Sequence, residues 1–134
     1  MIPFFLTLAE VLEIHRDQIA RYGGTAGIRD LELLKSALGL PAATFAGDFL
    51  HADLPEMAAA YLFHIVRNHP FIDGNKRAGA VAALVFLLLN GCDFNTPENK
   101  LVDAVVAVAS GKMTKAELTL SFRRWAKKKV NKGM

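Results

Sequence analysis

The chain has 134 residues, of which 52% are hydrophobic and 22% charged, a balance typical of a globular fold and not of a disordered chain. At this length one domain with a real core is the simplest expectation. The start, MIPFFLTLAEV, predicts no secretory signal, because it has no cationic n-region and no small-residue cleavage site. Residues 78–89 form an apolar run of twelve, too short for a membrane-spanning helix, so we expect no membrane association. Cys92 is the only cysteine, which excludes an internal disulfide and fits a reducing cytoplasm.

The net charge of +3 is concentrated near the C-terminus. Residues 123–134 carry six cations and no acid, whereas ten cations face 13 acids over residues 1–122. We interpret this basic segment as a solvated helix end, whose cations suit the negative pole of the helix. Nucleic-acid binding is the alternative. We do not expect it, because Trp125 is the only aromatic residue among these cations.

The first half of the chain predicts two helices followed by an irregular segment. Thr7 and Glu10 form a capping-box pattern at the start of the first helix, which ends at a Gly-Gly pair. The second helix is expected between Asp30 as N-cap and Gly39 as terminator. Segment 40–53 shows no clear period, so we expect a loop or a short hairpin there.

Four further helices are predicted. Those on either side of the sequence HPFIDGN are apolar nearly all round, which places them at the centre of a bundle. The fifth is expected to use Thr96 as N-cap with Pro97 at its first position. The sixth opens with a second capping box, Thr114 and Glu117, and runs to residue 129. The predicted fold class is therefore all-α, a single domain over 1–134 of about six helices, with a possible short hairpin near 42–50.

The sequence HPFIDGNKRAG, residues 69–79, carries the first functional signal. Asp73-Gly74-Asn75 is a turn pattern followed at once by a helical one, so Lys76 and Arg77 lie in the first turn of a helix. Cations are unfavourable at this positive pole unless an anion is bound there. Free backbone N–H groups, a glycine and two cations predict a site for phosphates. Alternatively, both cations point to solvent and Asp73 caps the helix.

His69 turns this anion site into a candidate reaction site. It ends the preceding helix, and Pro70 breaks the chain so that the imidazole can face the same loop. A neutral imidazole can take a proton from a hydroxyl, and the Asp73 carboxylate can hold Mg²⁺ against nucleotide phosphates. Phe71 is expected to anchor the loop in the core. These parts predict phosphoryl or nucleotidyl transfer. Of the other histidines, His15 is expected at the surface and His64 in the core with its polar atoms bonded.

HPFIDGNKRAG resembles the Fic/Doc signature HxFx(D/E)GN(G/K)R, and Lys after Asn is typical of the Doc (death-on-curing) toxins of toxin–antitoxin modules. A second stretch, YGGTAGIRDLELLKSAL over 22–38, resembles an early Doc segment. The resemblance covers about 4–126 and implies an all-α Fic fold. It also implies roles for individual residues: His69 as the catalytic base, Asp73 as the Mg²⁺ ligand, and Phe71 as the loop anchor. The implied phosphate-binding residues are Gly74, Asn75, Lys76 and Arg77.

The same resemblance implies that segment 40–53 is a flap that docks the target by backbone pairing, with Ala43, Thr44 and Phe45 at its centre. Phe45 could equally form a lid over the core. Two positions depart from Fic adenylyltransferases, which usually carry Gly in place of Lys76 and often Arg in place of Ala80. In Doc proteins this pattern is associated with a kinase that uses ATP and Mg²⁺ on a threonine of elongation factor Tu, which stops translation.

We therefore expect γ-phosphate transfer to a Thr or Ser hydroxyl, with AMP transfer as the alternative. The resemblance also implies a Phd-like antitoxin as partner, because the sequence contains no self-inhibitory (S/T)xxxE(G/N) segment. The antitoxin is expected to place an amphipathic segment on a groove of the toxin. A catalytically inactive antitoxin-binding module is a further alternative. The intact His69, Asp73, Asn75 and Arg77 argue against it.

Overall fold

The computed structural model describes residues 2–128, which form six helices and four short strands in two antiparallel hairpins. This architecture confirms the predicted all-α Fic-type bundle. The helices are α1 Leu8–Tyr22, α2 Leu31–Gly39, α3 Leu54–Asn68, α4 Asn75–Leu89, α5 Glu98–Ala109 and α6 Lys115–Trp125. The strands are β1 Thr44–Phe45, β2 Asp48–Phe49, β3 Cys92–Phe94 and β4 Ala126–Lys128. Among the described helices, none has both the length and the apolar character needed to cross a bilayer.

The central pair of the bundle is α3 and α4, as their apolar sequences predict. α3 also packs against α2, α5 and α6, so its middle turns are buried on almost every side. α4 approaches it closely at Gly79, where a Cβ atom would lie 2.9 Å from Cγ2 of Val66 and 3.3 Å from the carbonyl oxygen of Leu62. Because α3 and α4 are rigidly packed, the short loop that joins them is held between two fixed ends.

Both predicted capping boxes are present, at Thr7 with Glu10 and at Thr114 with Glu117. The cap predicted for α5 is wrong. Pro97 occupies the N-cap position itself, and no side chain caps this helix. The Thr96 hydroxyl is buried without a hydrogen-bond partner among residues 2–128. α5 therefore begins one residue later than predicted, at Glu98. Proline has no N–H to donate, so it is well tolerated at the edge of a helix.

The basic segment is not simply a helix end. α6 stops at Trp125, and Ala126–Lys128 pair with β3 as an antiparallel strand. Arg123, in the last turn of α6, forms ion pairs with Asp53 at 2.9 Å and Glu56 at 2.7 Å. This cation therefore joins α6 to the start of α3. Residues 129–134, on which the rest of the basic-tail prediction falls, lie outside the described residues.

The segment 40–53 contains the hairpin that the sequence allowed. β1 and β2 pair through Thr44–Phe49 and Phe45–Asp48, and Ala46 and Gly47 form the two-residue turn with φ of 53° and 90°. Positive φ at both turn positions is the geometry that suits the twist of a tight hairpin. Phe45 is 75% exposed, so it is no lid over the core. Phe49 covers the core instead, with its ring centroid 5.6 Å from that of Phe5.

Candidate active site

The loop between α3 and α4 begins with His69 in the left-handed backbone region. His69 is the C-cap of α3, with φ of 51° and ψ of 53°, and its N–H donates to the carbonyl of Ile65 at 3.2 Å. Few residues other than glycine adopt this conformation, although it is a common way to end a helix. The turn sends the chain back across the end of α3. The imidazole of His69 is left exposed at the mouth of the loop.

Asn75 closes the loop from its other end. Its side-chain oxygen accepts the N–H of Phe71 at 2.9 Å, and its Nδ2 donates to the carbonyl of Phe71 at 3.0 Å. Both residues are buried, and Phe71 is fully so, as expected of the loop anchor. The side-chain amide of Asn75 is thus used inside the loop. What this residue offers to a phosphate is its backbone N–H at the start of α4.

Asp73 projects from the loop into solvent as an ionised carboxylate. Its Oδ2 accepts the N–H of Thr25 at 3.1 Å, and its Oδ1 accepts the N–H of Gly74 at 2.8 Å. The hydrogen bond from Thr25, then that from Gly74, and more weakly the charge of Arg77, lower the pKa of Asp73 below its ordinary value. A carboxylate so stabilised keeps its charge over the whole physiological pH range.

The segment after α1 closely approaches this carboxylate at Gly24, in a backbone conformation that favours glycine. At Gly24, with φ of 114°, a Cβ atom would lie 2.7 Å from Oδ2 of Asp73 and 3.1 Å from a guanidinium nitrogen of Arg77. The chain can therefore pass close to the aspartate at Gly24, and the N–H of Thr25 donates to it. The second glycine of the YGG stretch is thus part of the site.

His15 supports the loop from below, which contradicts the surface position expected from the sequence. It is only 5% exposed. Its ring stacks on that of Phe71, with centroids 3.8 Å apart and planes 4° apart, and its Nε2 lies 2.8 Å from the carbonyl oxygen of Asp73. The sequence misled because His15 lies among charged neighbours on α1, while its own position on the helix faces the loop.

The two cations at the start of α4 have different surroundings. Lys76 is exposed. Arg77 donates from Nη1 to the carbonyl of Gln18 at 3.1 Å and from Nη2 to that of Gly23 at 2.9 Å, so it ties α4 to the end of α1. Gly74 is the N-cap of α4, and no side chain caps the helix. The first N–H groups of α4 therefore have no partner within the helix or from a capping side chain, and they are available to an anion.

Five of the predicted site residues line one cavity of about 110 Å³: His69, Asp73, Gly74, Asn75 and Lys76, together with Val66 and Ala109. The predicted base, metal ligand and phosphate-binding segment are thus brought together. Arg77 does not line this cavity, nor do Ala43, Thr44 and Phe45 of the hairpin. The cavity can place an anionic group between an imidazole, a carboxylate, a lysine and a helix N-terminus.

The comparison with protein families agrees with this geometry. The model of the Fic/DOC family matches residues 5–87, which include the whole motif loop. The chain belongs to the Fic/Doc family. It is 35% identical over 116 residues to the protein kinase Doc of Escherichia phage P1, covering 86% of this chain and 90% of that relative. It is 43% identical over 70 residues to the toxin Doc of Mycolicibacterium smegmatis, covering 52% of this chain and 54% of that relative.

Sequence reasoning about the Fic/Doc motif missed four residues that hold the loop from outside it: His15, Gly24, Thr25 and Arg29. Gly24, Thr25 and Arg29 fall in the stretch YGGTAGIRD. This stretch resembles the family, but the resemblance did not assign a role to any of its residues. The structure supplies those roles, because this segment crosses the loop and Ile28 pairs with Phe71. His15 had no comparable signal in the sequence.

Proposed function

We propose that the chain is a Doc-like toxin with protein kinase activity. In this proposal it transfers the γ-phosphate of ATP to a Thr or Ser hydroxyl of a cytoplasmic target such as elongation factor Tu, and so inhibits translation. The observation that carries the proposal is the cavity that His69, Asp73 and Lys76 line together at the uncapped start of α4. The match to a relative named as a protein kinase supports phosphoryl transfer in particular.

The chemistry assigns one step to each group. The exposed imidazole of His69 accepts the proton of the target hydroxyl. The hydroxyl oxygen then forms a bond to the γ-phosphorus, the bond from that phosphorus to the bridging β-oxygen breaks, and ADP leaves. The N–H groups at the start of α4 and the ammonium of Lys76 bind the phosphate oxygens. This cavity, of about 110 Å³, is smaller than the 300–1,000 Å³ of a typical ligand site, so in this proposal it binds phosphate groups and not the whole nucleotide.

Asp73 is suited to hold Mg²⁺. Each carboxylate oxygen accepts one backbone N–H and keeps further acceptor capacity, and the group is exposed and ionised. No cluster of three or more His, Cys, Asp or Glu side chains suited to a metal exists within residues 2–128. Such a site fits Mg²⁺, which commonly takes one or two carboxylates together with substrate phosphates and water. The ion would neutralise phosphate charge.

Lys76 is the residue on which the choice between phosphoryl and adenylyl transfer depends. Its side chain lies at the junction of the motif cavity and a second cavity between α1, α4 and α5, since it lines both. A lysine here takes space that glycine would leave open beside the phosphates and adds a charge. We propose that this favours a nucleotide pose that presents the γ-phosphate. AMP transfer is the rival within the same site.

The second cavity is the proposed docking site of a Phd-like antitoxin. It measures about 350 Å³, and its walls are mostly apolar, formed by α4 and α5. Its polar lining residues are the cations Lys76 and Arg77, together with Gln18 and Glu98. Val102 and Val106 are each 51% exposed on α5. An apolar groove between helices with cations at one end suits an amphipathic helix that carries acidic residues. A segment bound there would lie beside Lys76 and could block the phosphates.

The hairpin β1–β2 is proposed to dock the target chain. Thr44 and Phe45 are exposed, and Ala43 accepts the N–H of Leu50 at 2.9 Å, which holds the base of the hairpin closed. A short two-stranded hairpin leaves unpaired backbone groups on its outer edges, and an extended peptide can pair with them.

The test is to incubate the purified chain with elongation factor Tu, or with a cell lysate, and ATP labelled at the α- or the γ-phosphate. Transfer of the γ-label alone is expected, and His69→Ala should abolish it with an unchanged far-UV spectrum. Transfer of the α-label alone would replace the kinase proposal by adenylylation. No transfer of either label, together with tight binding of an antitoxin, would favour the inactive binding module.

A further inference from the structure

Arg29 lies between α1 and α2, and its side chain donates to the carbonyls of Asn68, the last residue of α3, and of His69, its C-cap. Its Nε–H donates to the carbonyl of His69 at 2.6 Å, and its Nη2–H donates to that of Asn68 at 3.0 Å. The last carbonyls of a helix have no partner within it, and a positive charge is favourable at that end. The guanidinium therefore caps α3 at the residue that carries the imidazole.

The backbone around Arg29 is fixed to the same loop. The N–H groups of Arg29 and Asp30 both donate to the carbonyl of Pro70, at 2.7 and 2.9 Å, and Ile28 pairs with Phe71. Asp30 in turn caps α2 by accepting the N–H of Leu33 at 3.0 Å. The side chain of Arg29 thus starts from a backbone fixed to the loop, and its guanidinium is held by the two carbonyls that it contacts.

These hydrogen bonds act at His69, whose backbone conformation is uncommon for a residue other than glycine. A residue with a side chain in the left-handed region persists only where its surroundings hold it, and His69 has φ of 51°. The peptide group between His69 and Pro70 has no N–H, so its carbonyl is the only group by which it can be fixed. Without Arg29 this carbonyl can turn, and the imidazole turns with the backbone.

We infer that Arg29 is a positioning residue, which fixes the direction of the His69 imidazole by holding the carbonyls of Asn68 and His69. This inference rests on the proposed function, since it assigns His69 the part of the base. Arg29 does not line the cavity at Asp73 and Lys76. It therefore affects the rate of proton transfer and leaves nucleotide binding largely unchanged. A lysine at position 29 would restore only part of this contact, because an ammonium lacks the planar set of donors with which the guanidinium reaches both carbonyls.

The experiment compares wild type with Arg29→Ala, Arg29→Lys and the control Arg16→Ala. Arg16 is an exposed cation on α1 whose ion pair with Glu13 lies wholly on that helix. Steady-state rates with γ-labelled ATP give kcat and KM, measured below the melting temperature of every variant. Amide NMR shifts of Asn68, His69 and Phe71 report the loop independently of activity.

In Arg29→Ala, kcat is expected to fall about tenfold to a hundredfold, the range that small misplacements of a catalytic group produce, with KM for ATP changed less than about threefold. Arg29→Lys should be intermediate and Arg16→Ala unchanged. The three loop amides should shift in Arg29→Ala and stay in place in the control. Arg29 is exposed, so both variants are expected to fold.

An unchanged kcat in Arg29→Ala overturns the inference, whether or not the amides shift. A fall in kcat with unmoved amides also overturns it, because Arg29 then acts by another route. If wild type transfers no phosphate at all, the proposed function fails separately. The amide shifts then decide alone whether Arg29 holds the loop.

Discussion

The imidazole of His15 lies flat on the ring of Phe71 while its Nε2 meets the carbonyl oxygen of Asp73, at 2.8 Å. One side chain of α1 thus holds the loop at two points, its buried anchor and its carboxylate-bearing residue. Phe71 is in turn bonded to Asn75 through both of its backbone groups. The direction in which Asp73 points is therefore set by contacts on both sides of the loop.

His15→Phe and His15→Ala separate these two contacts. Phenylalanine keeps the stacked ring and loses the polar contact with Asp73, so we expect a loss of about 1 kcal/mol in the free energy of unfolding. Alanine also leaves a cavity beside Phe71, which raises the loss to about 3 kcal/mol. Urea denaturation measures both values. Equal stability of the two variants would show that the stacking contributes nothing.

Much of the fold could be predicted because its signals are local. The capping boxes at Thr7 and Thr114 and the apolar faces of α3 and α4 depend on residues close together in the chain. The cavity residues from His69 to Lys76 lie within one short motif, so their proximity needed no long-range information. The predicted start of α5 was wrong because Thr96 and Pro97 are each suitable residues for the N-cap, and the sequence does not show which of them occupies it.

The supports of the site could not be predicted because they act across long separations. Arg29 contacts the loop through carbonyl oxygens, which every residue has, so its sequence context gives no sign of the partner. The same holds for Thr25, whose backbone N–H binds Asp73. The end of α6 at Trp125 depends on pairing with β3, some thirty residues earlier, a distance over which helical periodicity carries no information.

Gly24→Ala should damage the site, whereas Gly23→Ala should not. Both glycines have positive φ, of 114° and 85°, so both substitutions strain the backbone. Only at Gly24 does the new Cβ meet Asp73, 2.7 Å from its Oδ2, while nothing lies within 4 Å at Gly23. We expect the phosphate transfer rate to fall at least tenfold more in Gly24→Ala, an effect typical of a displaced catalytic group. Equal rates in the two variants would contradict a role for the close approach.

Lys76→Gly tests the assignment of the transferred group. Glycine reopens the space beside the phosphates and removes the ammonium, so γ-phosphate transfer is expected to fall by about two orders of magnitude, as when one preorganised donor is lost. Some α-label should then appear on the target. Lys76→Met is the matched control, because it removes the charge and keeps most of the volume. If Lys76→Met and Lys76→Gly both transfer only the α-label, the charge and not the volume sets the nucleotide pose.

His64 lies outside the candidate site, and its surroundings predict how the free energy of unfolding depends on pH. Nε2 of His64 is buried without a hydrogen-bond partner among residues 2–128, which contradicts the expected satisfied core histidine. Burial first, then the charges of Lys115 and His51, lower the pKa of His64 from 6.5 to about 4. Burial and Lys115 also lower the pKa of His51, whose Nε2 lies 2.7 Å from Nζ of Lys115.

Well above pH 6.5 His64 is neutral in both states and contributes nothing to the pH dependence. Between pH 6.5 and about 4 the unfolded chain binds a proton that the folded chain excludes, so the free energy of unfolding falls as the pH is lowered. This fall is about 3 kcal/mol at most for the His64 shift. His64→Leu should therefore lose less stability than wild type between pH 7 and 5 in urea denaturation followed by Trp125 fluorescence. The pKa of His51 is lowered as well, so the stability of His64→Leu should still fall with decreasing pH, but with a smaller slope than that of wild type. Parallel curves for the two proteins would show that His64 is solvated in the folded state.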